Sequence, residues 1–299
     1  MERLRYVCTT EDDGLEVLTL LRREPHVSTN LLRQLKVTDD GITLDGVRVT
    51  VRHTVQPGQV LSILREPDSG KERRVEPMEG PLDVVYEDGD LMILNKPAGL
   101  AVHPSPGHYD GQTLGNRVVW HLAKNGDNPT FRAINRLDRG TSVLMTCAKN
   151  KLAAHRLEEQ LAADGIRRTY HAVCEGTGLP ESGTIDLPIG KAEGKGIMRC
   201  VREDGQRAVT HYKVLKEQNG RTLLEIQLDT GRTHQIRVHF SHLGHPLCGD
   251  FMYGREIEQM KGCALHSCAI TLTQPTTGEG LAFTVPDPPV FAKLLEGLL

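Results

Sequence analysis

Several absences narrow the reading before any motif is considered. Seven cysteines (Cys8, Cys147, Cys174, Cys200, Cys248, Cys263 and Cys268) are odd in number and scattered, with no C-x-x-C pair. That argues against a disulfide framework or a thiolate zinc site and for buried free thiols. No run of eighteen apolar residues exists, so no membrane-spanning segment is expected. The opening residues MERLRYVCTTEDDG lack the basic start, apolar core and small-residue cleavage site of a secretory signal, and a cytoplasmic location is expected. Aromatic residues make up only 4% of the chain, and a net charge of −3 provides no basic excess. A sponge for polyanions is thereby excluded, although a local basic face is not.

What is present describes a soluble globular protein, with 38% hydrophobic and 25% charged residues in 299. That length accommodates a large domain with a small one. Charge is unevenly placed. Between Phe131 and His171 there are eight Lys/Arg against four Asp/Glu, whereas the first twenty residues and the 76–90 stretch are acid-rich.

The pattern along the chain divides it in three. Residues 1–64 form a small unit: a lead-in with a possible strand, then two short helices, then short strands joined by turns at Asp45-Gly46 and Pro57-Gly58. The first helix carries Leu15, Leu18 and Leu21 on its apolar side. The second opens at Ser28 or Thr29 as N-cap and carries Leu31, Leu32 and Leu35. Residues 65–79 are charged, hold two prolines and lack apolar periodicity, as a linker does. Residues 80–299 mix both periodicities. Strands are expected around Glu87-Asp88-Gly89-Asp90 and through RRTYHAVCEG, AVTHYKVLKEQ and RTLLEIQLDT. Helices are expected at 112–124 and after Asn150, the latter with Ala154, Leu157 and Leu161 on one face and Gly165 near its end. Without regular βαβ alternation, the fold class is α+β with a mixed, mainly antiparallel sheet.

Two segments carry chemistry. In Asn135-Arg136-Leu137-Asp138-Arg139 a carboxylate stands between two arginines, just ahead of an apolar strand. Such a carboxylate is held ionised and oriented, which suits nucleophilic or general-base work. The same spacing fits an Arg–Asp pair that braces a turn. In the second segment, 229–239, Thr233 reads as an N-cap for a helix of about ten residues with Arg237 in its first turn. A helix start with arginines favours an anion, a phosphate or a catalytic carboxylate, and Arg237 facing Asp138 across a cleft is one arrangement this allows. A solvated surface helix is the other. His234, His239, His242 and His245 do not form a metal pattern, since no H-E-x-x-H exists and only His239 and His242 share a face. Tyr170, after Arg167 and Arg168, is either a stacking ring for an unpaired base or an ordinary strand tyrosine. The stretch from Gly190 to Arg207 holds five Lys/Arg and three acids, as an exposed hairpin touching phosphates or a solvated loop would.

Taken in order, these segments resemble the RluA-type pseudouridine synthases through nearly all of residues 80–299. The resemblance is carried by Val85-Tyr86-Glu87-Asp88, Leu94-Asn95-Lys96-Pro97-Ala98-Gly99 and His103-Pro104. It continues through Arg136-Leu137-Asp138 with Thr141-Ser142, then Tyr170-His171-Ala172-Val173. Gly231-Arg232-Thr233-His234-Gln235-Ile236-Arg237-Val238-His239, Gly249-Asp250, Tyr253-Gly254 and Leu265-His266 complete it. The small unit resembles, more loosely, the RNA-binding domain named after ribosomal protein S-four.

The resemblance implies that Asp138 attacks the target uridine, at ribose C1′ or at the base, in a step that breaks the glycosidic bond. Tyr170 would stack on the extruded base, Arg237 would pair with Asp138, Ile236 would floor the base pocket, and Arg136 would hold the gap left by the flipped nucleotide. Arg168, Thr141 and Arg232 fall in the same blocks as substrate-contacting positions. No cofactor and no metal are implied, because substrate and product are isomers. The implied partner is ribosomal or transfer RNA, ribosomal preferred, and the protein is expected to be a monomer with no membrane association. Asn135, Val143 and Arg168 depart from the family pattern and bear on the RNA target more than on the reaction. Two other classes remain: a catalytically silent RNA-binding or ribosome-assembly protein on the same fold, and a glycoside hydrolase needing a second carboxylate such as Asp229 or Asp250.

Overall fold

A computed structural model describes residues 3–23, 27–66, 75–104, 112–134, 140–194 and 196–299. The first part contains β1 (Arg3–Val7), α1 (Val17–Arg23), α2 (Thr29–Val37), β2 (Ile42–Leu44), β3 (Val47–Arg48) and β4 (Val60–Leu64). These make a four-stranded antiparallel sheet in the order β1-β4-β2-β3. Ser28 caps α2 by accepting a hydrogen bond from the Leu31 amide at 3.1 Å, and Leu31, Leu32 and Leu35 are buried beneath it. In α1 the buried face is Val17, Leu20 and Leu21 rather than Leu15, Leu18 and Leu21. The reason is that Leu15 and Val17 first pair their backbones with Val55 and His53, so the helix begins two residues later than its periodicity suggests. Asp45 and Gly46 both take positive φ (51° and 83°), the geometry of a tight turn between twisted strands.

The rest comprises β5 (Val84–Glu87), β6 (Leu91–Lys96), α3 (Leu114–Lys124), β7 (Arg132–Ala133), β8 (Ser142–Ala148), α4 (Lys151–Ala162) and β9 (Arg167–Glu175). It continues with β10 (Ser182–Asp186), β11 (Ile189–Lys191), β12 (Arg199–Val201), β13 (Val209–Gln218) and β14 (Arg221–Leu228). Then come α5 (Gln235–His242), β15 (Leu265–Thr273), β16 (Gly280–Thr284) and α6 (Pro289–Leu295). A ten-stranded sheet runs β10-β13-β14-β9-β15-β8-β6-β5, with β16 on β15 and β7 on β8. Only the β15–β8 pair is parallel among the described ladders, so the expected mixed, mainly antiparallel α+β architecture is what the chain adopts.

Asn150 caps α4 as its sequence suggests, accepting from the Ala153 amide at 2.9 Å. Its buried residues are Leu152, Ala153 and Leu157, with Ala154 and Leu161 only partly covered. At the other end Asp164 takes the left-handed conformation and the Gly165 amide returns to the Gln160 carbonyl at 2.7 Å. This closing motif puts Gly165 one residue beyond the strained position. Of the expected linker, 67–74 lies outside the described residues. Its ends are tied down: Arg65 pairs with Asp90, and the Glu76 carbonyl accepts from Asn116 Nδ2 at 2.8 Å.

Candidate active site

Strand alternation sends Tyr170 and His171 of β9 to opposite faces of the large sheet. Tyr170 packs on the cluster that includes Ala172, Leu224, Ile226, Ile236 and Phe240. Ile226 of β14 stands opposite it on one side and Ser267 of β15 on the other. α5 lies over this face and supplies Ile236 and Phe240, both buried. Tyr170 and Ile236, separate in sequence, thus share one apolar cluster.

The start of α5 differs from expectation. Thr233 is not its N-cap; His234 takes that place in a left-handed conformation, φ 59°, without a side-chain cap. The Gln235 side chain instead braces the turn that enters the helix. Its Oε1 accepts from the Arg232 amide (3.0 Å) and Thr230 hydroxyl (2.9 Å), and its Nε2 donates to the Val209 carbonyl (2.9 Å).

Arg237 is buried and grips Asp250 in a two-pronged pair, Nε to Oδ2 and Nη2 to Oδ1, both 2.7 Å. Asp250 is itself fully buried, and its Oδ1 accepts from the amides of Met252 and Tyr253 at 3.0 and 3.2 Å. The guanidinium carbon also stands 5.0 Å from the Tyr253 ring centroid. Burial raises the Tyr253 phenol above its ordinary pKa, and its oxygen meets His234 Nδ1 at 2.7 Å and accepts from the Arg199 amide at 2.9 Å. Such a paired, stacked arginine has a fixed direction. Asp250, a candidate second carboxylate for a hydrolase, is therefore taken up as the partner of Arg237. The other, Asp229, faces His211 at 2.9 Å on the exposed end of β14.

The remaining predicted residues divide. Asp138 and Arg136 lie outside the described residues. Thr141 is buried at the threshold of β8, and its carbonyl accepts from Lys96 Nζ at 2.7 Å. Lys96 is fully buried and donates also to the Pro97 and Leu100 carbonyls at 3.0 and 3.1 Å. It therefore ties the 97–100 turn to the backbone at Thr141, a role that nothing in its local sequence announces. One row of the sheet crosses Ser142, His266 and His171 on β8, β15 and β9. Two strand spacings, about 10 Å, thus separate the backbone just after the Asp138 segment from that of Tyr170. Arg168, two positions from Tyr170 on β9, keeps its Nε and Nη2 buried with no hydrogen-bond partner among the described residues. Ser267 Oγ is in the same condition. Arg232 is exposed, with Nε on the Arg207 carbonyl at 3.0 Å. It borders a cleft of about 300 Å³ between the β11–β12 hairpin and the start of α5, shared with Lys191 and Arg199.

On the opposite face, His171 Nδ1 meets Asp287 at 2.8 Å. That contact first, and the neighbouring Cys268 next, push its pKa up to about 10. His239 uses both ring nitrogens structurally, on the Thr210 hydroxyl and the Leu187 carbonyl at 2.9 Å each. Burial holds its pKa below the ordinary value, so the neutral ring can accept from one and donate to the other.

The fold and this layout define an α+β protein with a tyrosine-bearing apolar cluster beside a buried arginine, and comparison with known proteins gives its class. The model of the RNA pseudouridylate synthase family matches residues 90–242, a span that includes every predicted site residue. The chain is 40% identical over 266 residues to the uncharacterised RNA pseudouridine synthase YlyB of Bacillus subtilis, covering 88% of this chain and 87% of that one. It is 37% identical over 275 residues to ribosomal large subunit pseudouridine synthase D of Vibrio vulnificus, covering 87% and 83%. The solved structure of human RNA pseudouridylate synthase domain containing 1 matches with a TM-score of 0.60 at 26% identity, over 73% of this chain and 86% of that one. This chain belongs to the RNA pseudouridine synthase family and is an isomerase that acts on RNA.

Proposed function

We propose that the protein isomerises uridine in ribosomal RNA, with Asp138 as nucleophile. The observation that carries this reading is the meeting of Tyr170 and Ile236 in one apolar cluster, with the buried Arg237 next to Ile236 on α5, two strands from the backbone that follows Asp138. Asp138 attacks the flipped-out uridine, at ribose C1′ or the base, and the bond between N1 and C1′ breaks. The uracil rotates and rejoins C1′ through C5 as the bond from Asp138 to the substrate breaks and returns the carboxylate; the C5 proton then moves to solvent while N1 takes one up. Atoms balance, because the product is an isomer of the substrate.

Tyr170 stacks on the extruded base above Ile236, and Arg237, held by Asp250 and Tyr253, presents its remaining edge toward the carboxylate of Asp138. Arg168 meets a substrate oxygen; its Nε and Nη2 support this, since two buried N–H groups with no acceptor among the described residues are costly unless a partner arrives. Arg136, Thr141 and Arg232 complete the contacts, with Arg232 on a phosphate at the hairpin cleft. Flipping costs a few kcal/mol, which stacking and phosphate contacts offset. The ribosomal target is supported by relatives named for the large ribosomal subunit. The unit spanning 1–64 acts as an RNA-binding module on a monomer in the cytoplasm.

The deciding experiment is to incubate the protein with ribosomal and transfer RNA lacking pseudouridine, then map the product by chemical labelling and reverse transcription. Wild type is expected to modify ribosomal RNA, and Asp138→Asn to lose at least about 10³-fold in rate while still binding. Product from Asp138→Asn at the wild-type rate removes Asp138 from the mechanism. Product only in transfer RNA overturns the ribosomal target.

A further inference from the structure

Glu66 follows β4 of the small sheet, yet its carboxylate is spent on the large one. Its Oε1 meets Arg132 Nη2 at 3.1 Å and Lys151 Nζ at 3.0 Å, and its Oε2 accepts from the Lys151 backbone amide at 2.8 Å. Lys151 is the first residue of α4, whose opening amides have no partner within the helix and favour a negative charge. Arg132 belongs to β7, which pairs with the end of β8 through Arg132–Ala148 and Ala133–Cys147. The Arg132 Nη1 also donates to the Lys149 carbonyl at 3.4 Å. In sequence, Asp138 falls between β7 and β8. Glu66 therefore joins, with one carboxylate, β7, which precedes the Asp138 segment, to the start of α4, which lies just past β8.

Two neighbouring contacts make this a docked junction. Arg65 Nη1 meets Asp90 Oδ1 at 3.0 Å, and the buried Asp90 is shared with Asn150 Nδ2 and Gln274 Nε2 at 2.8 and 2.9 Å. Leu152, in the first turn of α4, is buried in the apolar core of the small sheet rather than in that of the large one. The side chains of Glu66, Arg132 and Lys151 are only 17%, 12% and 14% exposed, so water and salt screen these pairs less than a surface ion pair.

We propose that Glu66 is a positioning residue for the isomerisation: it links the small sheet to the foot of β7 and β8, and so fixes the approach of Asp138. The proposal rests on Asp138 as nucleophile. RNA held by the small sheet would then be in fixed register with the reacting carboxylate, because the two units share a charged clasp instead of hanging on a free tether. A displacement of about 1 Å at a reacting group can cost about 10²-fold in rate, so a modest loosening is measurable.

The test uses full-length Glu66→Ala and Glu66→Gln, with two readouts below the melting temperature. The first is backbone hydrogen exchange in peptides covering residues 130–148. The second is the single-turnover rate at saturating RNA, with the RNA Kd measured separately. Glu66→Ala is expected to speed exchange in that stretch about tenfold and slow turnover about tenfold, with Kd changed less than about twofold. Glu66→Gln, which keeps its acceptor but loses the charge, falls between. A lower melting temperature with wild-type exchange and turnover would make Glu66 a purely structural brace. A change confined to Kd would make it an RNA-binding residue. Should Asp138→Asn prove active, the nucleophile assignment fails, and the exchange data still decide whether Glu66 holds β7 and β8.

Discussion

Two arginines near the site present opposite faces of one physical problem. Arg237 is buried with two nitrogens on Asp250 and a tyrosine ring beside it. Arg168 has two buried nitrogens and, among the described residues, no acceptor for either. Burial of a charge is costly in both cases, but only in the first has the fold compensated for it. A compensated cation is part of the scaffold and aims other groups. An uncompensated one marks a place where the free protein is less stable than it need be, which is the usual signature of a group kept for a ligand.

The sharpest way to break this contrast is to remove the compensation. Asp250→Ala takes from the buried Arg237 charge the carboxylate that grips it at two nitrogens, and unfolding by denaturant is expected to show a loss of about 3–5 kcal/mol. A loss below about 1 kcal/mol would mean that the pair is not what holds this arginine. Next, Arg168→Met removes the uncompensated charge while keeping an apolar stem. Its melting temperature should equal or exceed that of wild type, whereas KM for RNA should rise about 10- to 100-fold, corresponding to about 1–3 kcal/mol. A destabilised Arg168→Met with unchanged KM would erase the distinction between the two arginines.

The smallest effect lies on the reverse of β9. His171 has its pKa raised to about 10 by Asp287 and Cys268. A raised pKa means that the folded state binds the proton more tightly, so this contribution is complete below the unfolded value near 6.5 and is lost as pH rises through about 10. Its side chain is 21% exposed, and solvent screening reduces the net contribution to about 1 kcal/mol or less. Between pH 7 and pH 10 wild type should therefore lose slightly more stability than His171→Gln, as followed by thermal melting. Identical pH profiles would show that the imidazolium–carboxylate pair adds nothing to folding.

How far the chain is legible from its residues depends on distance along it. Ser28 and Asn150 are found as caps because a cap bonds to an amide three residues on, and the same holds for the Asp45-Gly46 turn. Thr233 misleads because the helix starts one residue later, behind His234 in the left-handed conformation, after a turn that Gln235 braces from within the helix. The blocks around Asp138, Tyr170 and Arg237 are legible as a family pattern, and the family match spans them. Nothing local, however, shows that Arg237 closes on Asp250, or that Lys96 binds the carbonyl of Thr141, forty-five residues away.

By its residues alone this chain determined its α+β class, most of its helices and strands, and the blocks that carry its chemistry. These follow from hydrogen bonds and side-chain periodicities that span a few positions. Tertiary structure decided which charges meet: Glu66 with Arg132 and Lys151, Arg237 with Asp250, His171 with Asp287. An ion pair needs only two side chains within a few ångströms, and a carboxylate has many eligible cations along 299 residues. Only the path of the folded backbone selects among them.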